Sequence, residues 1–322
     1  MKRLLARLFG GRGAAGPAPP PATTSATTAP ADSPVDLSSI DLDRAFLDWL
    51  TPSHAGSTPG STAPVFDELA RLARDPANAA GLVPRVPAVI PQLLRSLRDE
   101  TSSSGGLARQ VAQDAMLVAE VIREVNSPYY RPATPIRSLE GALLLLGQNG
   151  LRMLLARVAF RPVIGMQSGP LARQAAPQLW RQSEACALAA ALLAPSHGAD
   201  PFEAYLAGLM HNVGLVVALR VIDSLAPQGP MPESDRDAGR LLQAARLVSA
   251  RVATQWELPP AIGHAIVHIG ATGALPATLG EADRLARLRM LADAGHDEFL
   301  QAAAMLPARQ RRVYDQLVNQ DN

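Results

Sequence analysis

Cysteine is almost absent from this chain. Cys186 is the only one in 322 residues, so no internal disulfide can form and the composition suits a reducing compartment. Cys186 sits in an Ala-rich run, where a lone thiol reads as a small buried apolar residue rather than a nucleophile. Lysine is nearly missing as well: Lys2 stands alone and almost every other basic residue is Arg. An excess of either charge is lacking too. The formal net charge of +1 argues against a nucleic-acid binder that works by bulk electrostatics. Aromatic residues make up only 4% of a chain that is 48% hydrophobic, so the core must be built from Leu, Ala and Val, a palette that leans helical. No segment alternates polar and apolar residues as a half-buried strand would. The chain also lacks a P-loop, a Gly-x-Ser-x-Gly elbow and a Cys pair, which removes the commonest phosphate-cradle and acyl-transfer readings.

Long hydrophobic runs are scarce. The apolar run between Met1 and Phe9 is too short for a signal peptide and is broken by Arg7. It reads as a frayed terminus or a short basic amphipathic helix able to touch a membrane surface or a partner. Residues 204–222 are long enough to span a bilayer, but His211, Asn212 and Arg220 would be costly there, so a buried core helix is expected instead. No transmembrane segment is expected, and the reading is cytoplasmic.

What is present organises itself around residues 204–219, the most apolar stretch, which carries His211 and Asn212 at its centre. Asp200 reads as its N-cap, Pro201 as its first helical residue and Glu203 as the third position of a capping box. His211 is therefore expected on a buried helix, with Gly214 permitting close packing. Upstream, residues 1–35 are a Pro-, Ala- and Thr-rich tail that cannot bury enough apolar surface to order itself. Residues 36–80 hold short helical segments and linker: Ile40–Leu50 is amphipathic, as is Val65–Arg74. Phe46 and Trp49 are candidate partner contacts, because aromatic residues often dominate interface energetics. From residue 82 the pattern is helix after helix. Ser103 or Ser104 caps one that ends at Asn126 to Pro128, and Ser138 starts another. Gly147 to Gly150 reads as a turn, Leu151–Phe160 as a helix stopped by Pro162, and 177–194 as a helix with Pro177 in its first turn. Residues 271–322 form a C-terminal helical extension, with helices over Glu281–Leu291, Glu298–Leu306 and Ala308–Val318 and a break at Pro307. The basic cluster from Arg309 to Arg312 reads as a solvated helix face, since it is short and Asp315 follows.

Several of these segments together carry a resemblance. Leu82 to Pro87, Val125 to Tyr130, Pro135 to Ala142 and Leu146-Gly147 resemble the HD-related output domain (HDOD), a bacterial signalling module related to HD-type phosphohydrolases. So do Leu179 to Ser183, Ala207 to Gly214 and Trp256 to Ile262 with His264 and His268. The resemblance covers about residues 82–270. It implies an all-α, compact multi-helix HD-like domain preceded by a disordered N-terminal arm. It also implies company with cyclic-dinucleotide signalling machinery and a metal site that the family generally lacks in complete form. Where relatives often keep a His after Trp180 and Arg181, this chain has Gln182. The Asp of the His-Asp pair is Asn212, and only His268 stands where relatives tend to carry paired histidines.

A phosphohydrolase metal must lower the pKa of a bound water and hold developing phosphoryl charge, which needs converging charged or imidazole ligands. Gln182 and Asn212 fail to supply them. His264 and His268 are four residues apart and would share a helix face, but that spacing alone is weak. The expectation is a vestigial pocket of Gln182, His211, Asn212, His264 and His268 with no bound metal, no cofactor and no catalytic residue. The protein would then be a non-catalytic signalling or regulatory module that binds a signalling protein and no nucleic acid; a homo-oligomer is compatible with this. The alternatives are a divergent metal-dependent HD phosphodiesterase and a nucleotide-binding sensor that uses the degenerate pocket.

Overall fold

The computed structural model describes residues 41–52, 62–75, 112, 115–127, 132–165, 169–225 and 234–317. The expectations for the 1–35 tail, the 82–87 opening, the Ser103 or Ser104 cap and Tyr129-Tyr130 lie outside those residues. Among the described residues the chain is helical with no strand. It runs α1 (Asp43–Leu50), α2 (Ala63–Arg74), α3 (Ala115–Val125), α4 (Leu139–Gly165), α5 (Pro170–His197) and α6 (Pro201–Met210). It continues as α7 (Val213–Leu225), α8 (Asp235–Gln255), α9 (Pro260–Val267), α10 (Ala274–Asp293), α11 (Asp297–Ala304) and α12 (Ala308–Tyr314). The all-α expectation holds.

The Ala-rich helix α5 is the axis of the core, and α4, α6, α7 and α10 all pack on it. Small side chains explain how so many helices can approach one. Ala187, Ala189, Ala190, Ala191 and Ala194 are buried along its length, and a Cβ on Gly208 of α6 would come within 2.5 Å of Ala187 Cα. Helix α5 begins at Pro170, seven residues before the predicted start. The reason is tertiary. Asp223 on α7 accepts the Leu171 and Ala172 N–H groups at 3.0 and 2.9 Å, satisfying donors that would otherwise be orphaned at the helix start. Pro177 therefore lies inside the helix, as does Pro195. Helix α4 also departs from its expected form. The predicted turn is a kink at Gly147 (φ 70°, ψ 178°), and the helix then runs through Gln148 to Gly150 and past Pro162 to Gly165.

The apolar stretch Pro201–Leu225 is mostly buried within the fold. Asp200 caps it as expected, accepting from Phe202 N and Glu203 N at 2.9 and 2.8 Å. It is not one helix: α6 ends at Met210 and α7 begins at Val213, with His211 and Asn212 between them. Ser249 on α8 closes that joint. Its hydroxyl donates to the His211 carbonyl at 2.7 Å and accepts the Gly214 N–H at 2.7 Å, so the break leaves neither group unpaired. Gly214 is required here, because a Cβ would sit 1.9 Å from the Ala245 carbonyl oxygen.

The two N-terminal helices dock on this core. Helix α1 buries Phe46, Leu47 and Leu50 against α5, α8 and α10, and α2 buries Val65, Leu69 and Leu72 against α7 and α8. Phe46 is wholly buried in this chain's own core, so it is not an exposed partner contact; Trp49 is half-buried beside it, with ring centroids 6.1 Å apart. Helix α10 lies along α5, and α11 and α12 pack on α10.

Candidate functional site

A polar centre lies where α5, the α6–α7 joint and α10 meet, inside an otherwise Leu/Ala core. Its side chains are Gln182, Ser183, His211, Asn212, Asp283 and Arg287, all buried. Burying so many polar groups is tolerable only if they satisfy one another, and their bonds form a relay. Asn212 Nδ2 donates to Gln182 Oε1 and, at 3.2 Å, to Ser183 Oγ. Gln182 Nε2 donates to Asp283 Oδ1 at 2.7 Å. Arg287 Nε donates to the same Asp283 Oδ1 at 3.0 Å, and Arg287 Nη1 donates to Asp43 Oδ1 on α1 at 2.6 Å. The guanidinium also lies over the Phe46 ring, 4.7 Å from its centroid, a cation–π contact.

His211 enters from the side. Its Nδ1 donates to the Gly208 carbonyl at 2.6 Å, which orients the ring. Nε2 then lies 3.3 Å from Asp283 Oδ1 but off the line of a hydrogen bond, and it is left without one. Charge decides the protonation of Asp283. Burial alone would raise its carboxyl, but the adjacent Arg287, then His211 and Arg246, outweigh burial and hold it well below the usual carboxylate range. In turn Asp283 and Asp43 overcome the effect of burial on Arg287 and keep its guanidinium charged.

Could these residues hold the divalent metal that an HD-like centre implies? The donor set does not fit. Gln182 and Asn212 offer neutral amides that are already engaged with each other. The one carboxylate among these buried side chains, Asp283, is bonded to Arg287 and Gln182. Cys186, His211 and Asp283 do converge, their ligand atoms lying within 4.8 Å of one another. But burial pushes the Cys186 thiol well up and Asp283 pushes it further, so it stays protonated rather than becoming a thiolate ligand. A resident guanidinium supplies the positive charge a metal would bring.

Of the residues predicted for the pocket, Gln182, His211 and Asn212 meet. His264 and His268 do not join them. They are exposed on the outer side of α9, their rings facing each other with centroids 4.5 Å apart. The sequence reading missed Ser183, Asp283, Arg287 and Asp43. A signal for two of them exists: Asp283 and Arg287 are charged residues four apart among Leu279, Ala282, Ala286 and Met290, on the apolar face of a helix.

The buried centre thus joins a His-Asn joint, a glutamine opposite and an aspartate on a later helix of an all-helical fold. The HDOD domain family model matches residues 83–271, more than half of the chain, and the chain belongs to that family. The fold is similar to that of an HDOD domain protein of unknown function from Geobacter sulfurreducens (22% identity, TM-score 0.55, 78% of this chain and 94% of that one). A candidate metal-dependent phosphohydrolase from Shewanella amazonensis is also similar (18% identity, TM-score 0.53, 80% of this chain and 100% of that one). An uncharacterized protein of Treponema pallidum is 27% identical over 149 residues, 46% of this chain. The match spans only 28% of that relative's length.

Proposed function

We propose that this protein is a non-catalytic signalling or regulatory module that acts by binding another protein in the cytoplasm. One observation carries the reading: the guanidinium of Arg287 sits on the carboxylate that a metal centre would need, with both neighbouring donors reduced to amides. Phosphoryl hydrolysis at an HD-like centre needs a metal-activated water, and this centre offers no anionic donor free to bind the ion. The relay Asn212–Gln182–Asp283–Arg287–Asp43 instead locks the α6–α7 joint, α5, α10 and α1 together, which suits a scaffold that presents fixed surfaces.

A second reading, residual HD-type phosphohydrolysis, draws on one feature: the His211 Nε2 without a hydrogen bond. The two readings separate by elemental analysis of the purified protein, run beside a cyclic di-GMP hydrolysis assay with added Mn²⁺. The expected result is no stoichiometric Mn, Fe, Zn or Ni and no turnover. Stoichiometric metal, or turnover lost in His211→Ala, would overturn the non-catalytic reading.

A further inference from the structure

Two of the described histidines have no occupation inside the fold. His197 bonds Glu281 across α5 and α10, His211 is fixed by the Gly208 carbonyl, and His296 lies edge-on to the Phe299 ring. His264 and His268 are exposed, and among the described residues neither imidazole has a hydrogen bond or an ion pair. Their rings face only each other, with centroids 4.5 Å apart.

Residues four apart lie one above the other on one face of a helix, so two imidazoles at this spacing can reach one ion from the same side. The turn that carries them is closed: the His268 N–H donates to the His264 carbonyl at 3.0 Å. It is also anchored. Helix α9 buries Ile262, Ala265 and Ile266, and a Cβ on Gly263 would come within 3.5 Å of the Ala250 carbonyl oxygen on α8. Just beyond α9, the Gly270 N–H donates to the Pro276 carbonyl at 2.9 Å. The backbone is therefore set before any ion arrives, and only side-chain torsions need adjust, which lowers the entropy lost on binding. The pair stands at the C-terminal end of α9, with His268 as its cap, where the helix dipole favours a positive charge.

We propose that His264 and His268 chelate one divalent transition ion at an open, exchangeable surface site. Imidazole suits zinc, nickel and copper(II), whereas magnesium and calcium prefer oxygen ligands. Two protein ligands leave the other coordination positions to water. In a helical His-Glu-x-x-His hydrolase the general base follows the first histidine. Here that position is Ala265, so the pair binds an ion without the hydrolytic partner. The site is separate from the buried centre, whose His211 caps α6.

The test is titration calorimetry and thermal unfolding of the full chain, free of any affinity tag and dialysed first against EDTA and then against plain buffer. Zinc and nickel chlorides should each bind at one ion per chain and raise the unfolding midpoint, and magnesium chloride should do neither. His264→Ala and His268→Ala should each weaken binding by about tenfold or more, since even the outer partners of a metal ligand are worth that much. Both are surface substitutions, and unfolding midpoints equal to the wild type without metal will show that the fold is intact. His296→Ala removes an exposed but solitary imidazole and should leave the affinity unchanged. Failure of zinc and nickel to bind would overturn the proposal. So would binding that survives either α9 substitution, that falls equally in His296→Ala, or that magnesium matches. An ion held by two exposed ligands exchanges with the buffer, so the EDTA step empties this site. Metal that persists through dialysis and is lost in His211→Ala belongs to the buried centre, so this site and the non-catalytic reading can fail separately.

Discussion

Asp283 accepts from more side chains than any other group in the centre, and single substitutions there test the charge balance directly. Asp283→Asn keeps the shape and an acceptor for Gln182 but leaves Arg287 with Asp43 as its only anion. Removing one partner of a buried ion pair costs about 3–5 kcal/mol, and the lower end applies because Asp43 remains. Urea unfolding should therefore show a loss of about 3 kcal/mol near neutral pH. The pH dependence has a definite sign. The folded carboxyl is held below its unfolded value, so its contribution is full above the unfolded pKa of about 4 and fades as pH falls below it. The wild-type advantage over the variant should be flat from neutral pH down to about 4 and shrink beneath that. An advantage that grew in acid would contradict the assignment. At this scale the sequence was half legible. Gln182, His211 and Asn212 were found because they depart from a recognisable motif at fixed spacing. Asp283, Arg287 and Asp43 were not, because their partners lie on remote elements and only packing brings them together.

Between elements, a second ionic cluster ties α3, α4 and α5. Arg157 on α4 donates to Glu124 on α3 and to Glu184 on α5, and all three side chains are largely buried. Burial raises the Glu184 carboxyl, and Arg157 only partly offsets this. Replacing Arg157 with Met keeps most of the packing and leaves two buried carboxylates facing each other. The expected loss is about 3–5 kcal/mol at neutral pH. Here the linkage of the carboxyl reverses relative to Asp283, although the deficit of the variant again narrows in acid. A carboxyl whose folded pKa is raised takes up a proton more readily in the folded state, so the Arg157→Met deficit should narrow as pH is lowered towards about 4. Parallel urea melts of wild type and variant at several pH values would read this; a deficit independent of pH would refute it. Element boundaries show why sequence reading stopped where it did. The helix type of α5 was evident from its Ala and Leu content, but its start depends on Asp223, which is far along the chain and caps it only in the folded state. Likewise the division of the apolar stretch at His211 depends on Ser249 from α8. Local signals such as the Asp200 cap were read correctly because every atom they need lies within three residues.

The whole molecule extends the family domain at both ends, and the polar centre uses both extensions. The family match stops at residue 271, yet α10, which begins at Ala274, supplies Asp283 and Arg287 and packs along α5. The match starts at residue 83, yet α1 covers the Arg287 guanidinium with Asp43 and Phe46. A fragment of residues 83–271 would expose the apolar side of α5 that α10 covers and leave Gln182 without its carboxylate partner. Burying one large apolar side chain is worth about 1.5–3 kcal/mol, and α10 alone buries Leu279, Leu285, Leu288, Met290 and Leu291. That sum exceeds the net stability of about 5–15 kcal/mol typical of a whole domain, or comes close to it. The fragment is therefore expected to lack a cooperative thermal transition. Extending it to residue 317 should restore cooperative unfolding, and restoring residues 41–75 should raise the midpoint further by returning Asp43, Phe46 and the apolar side of α2. Cooperative unfolding of residues 83–271 alone, with the same midpoint as the full chain, would show that the matched segment is self-sufficient and that α1 and α10 are accessories to it.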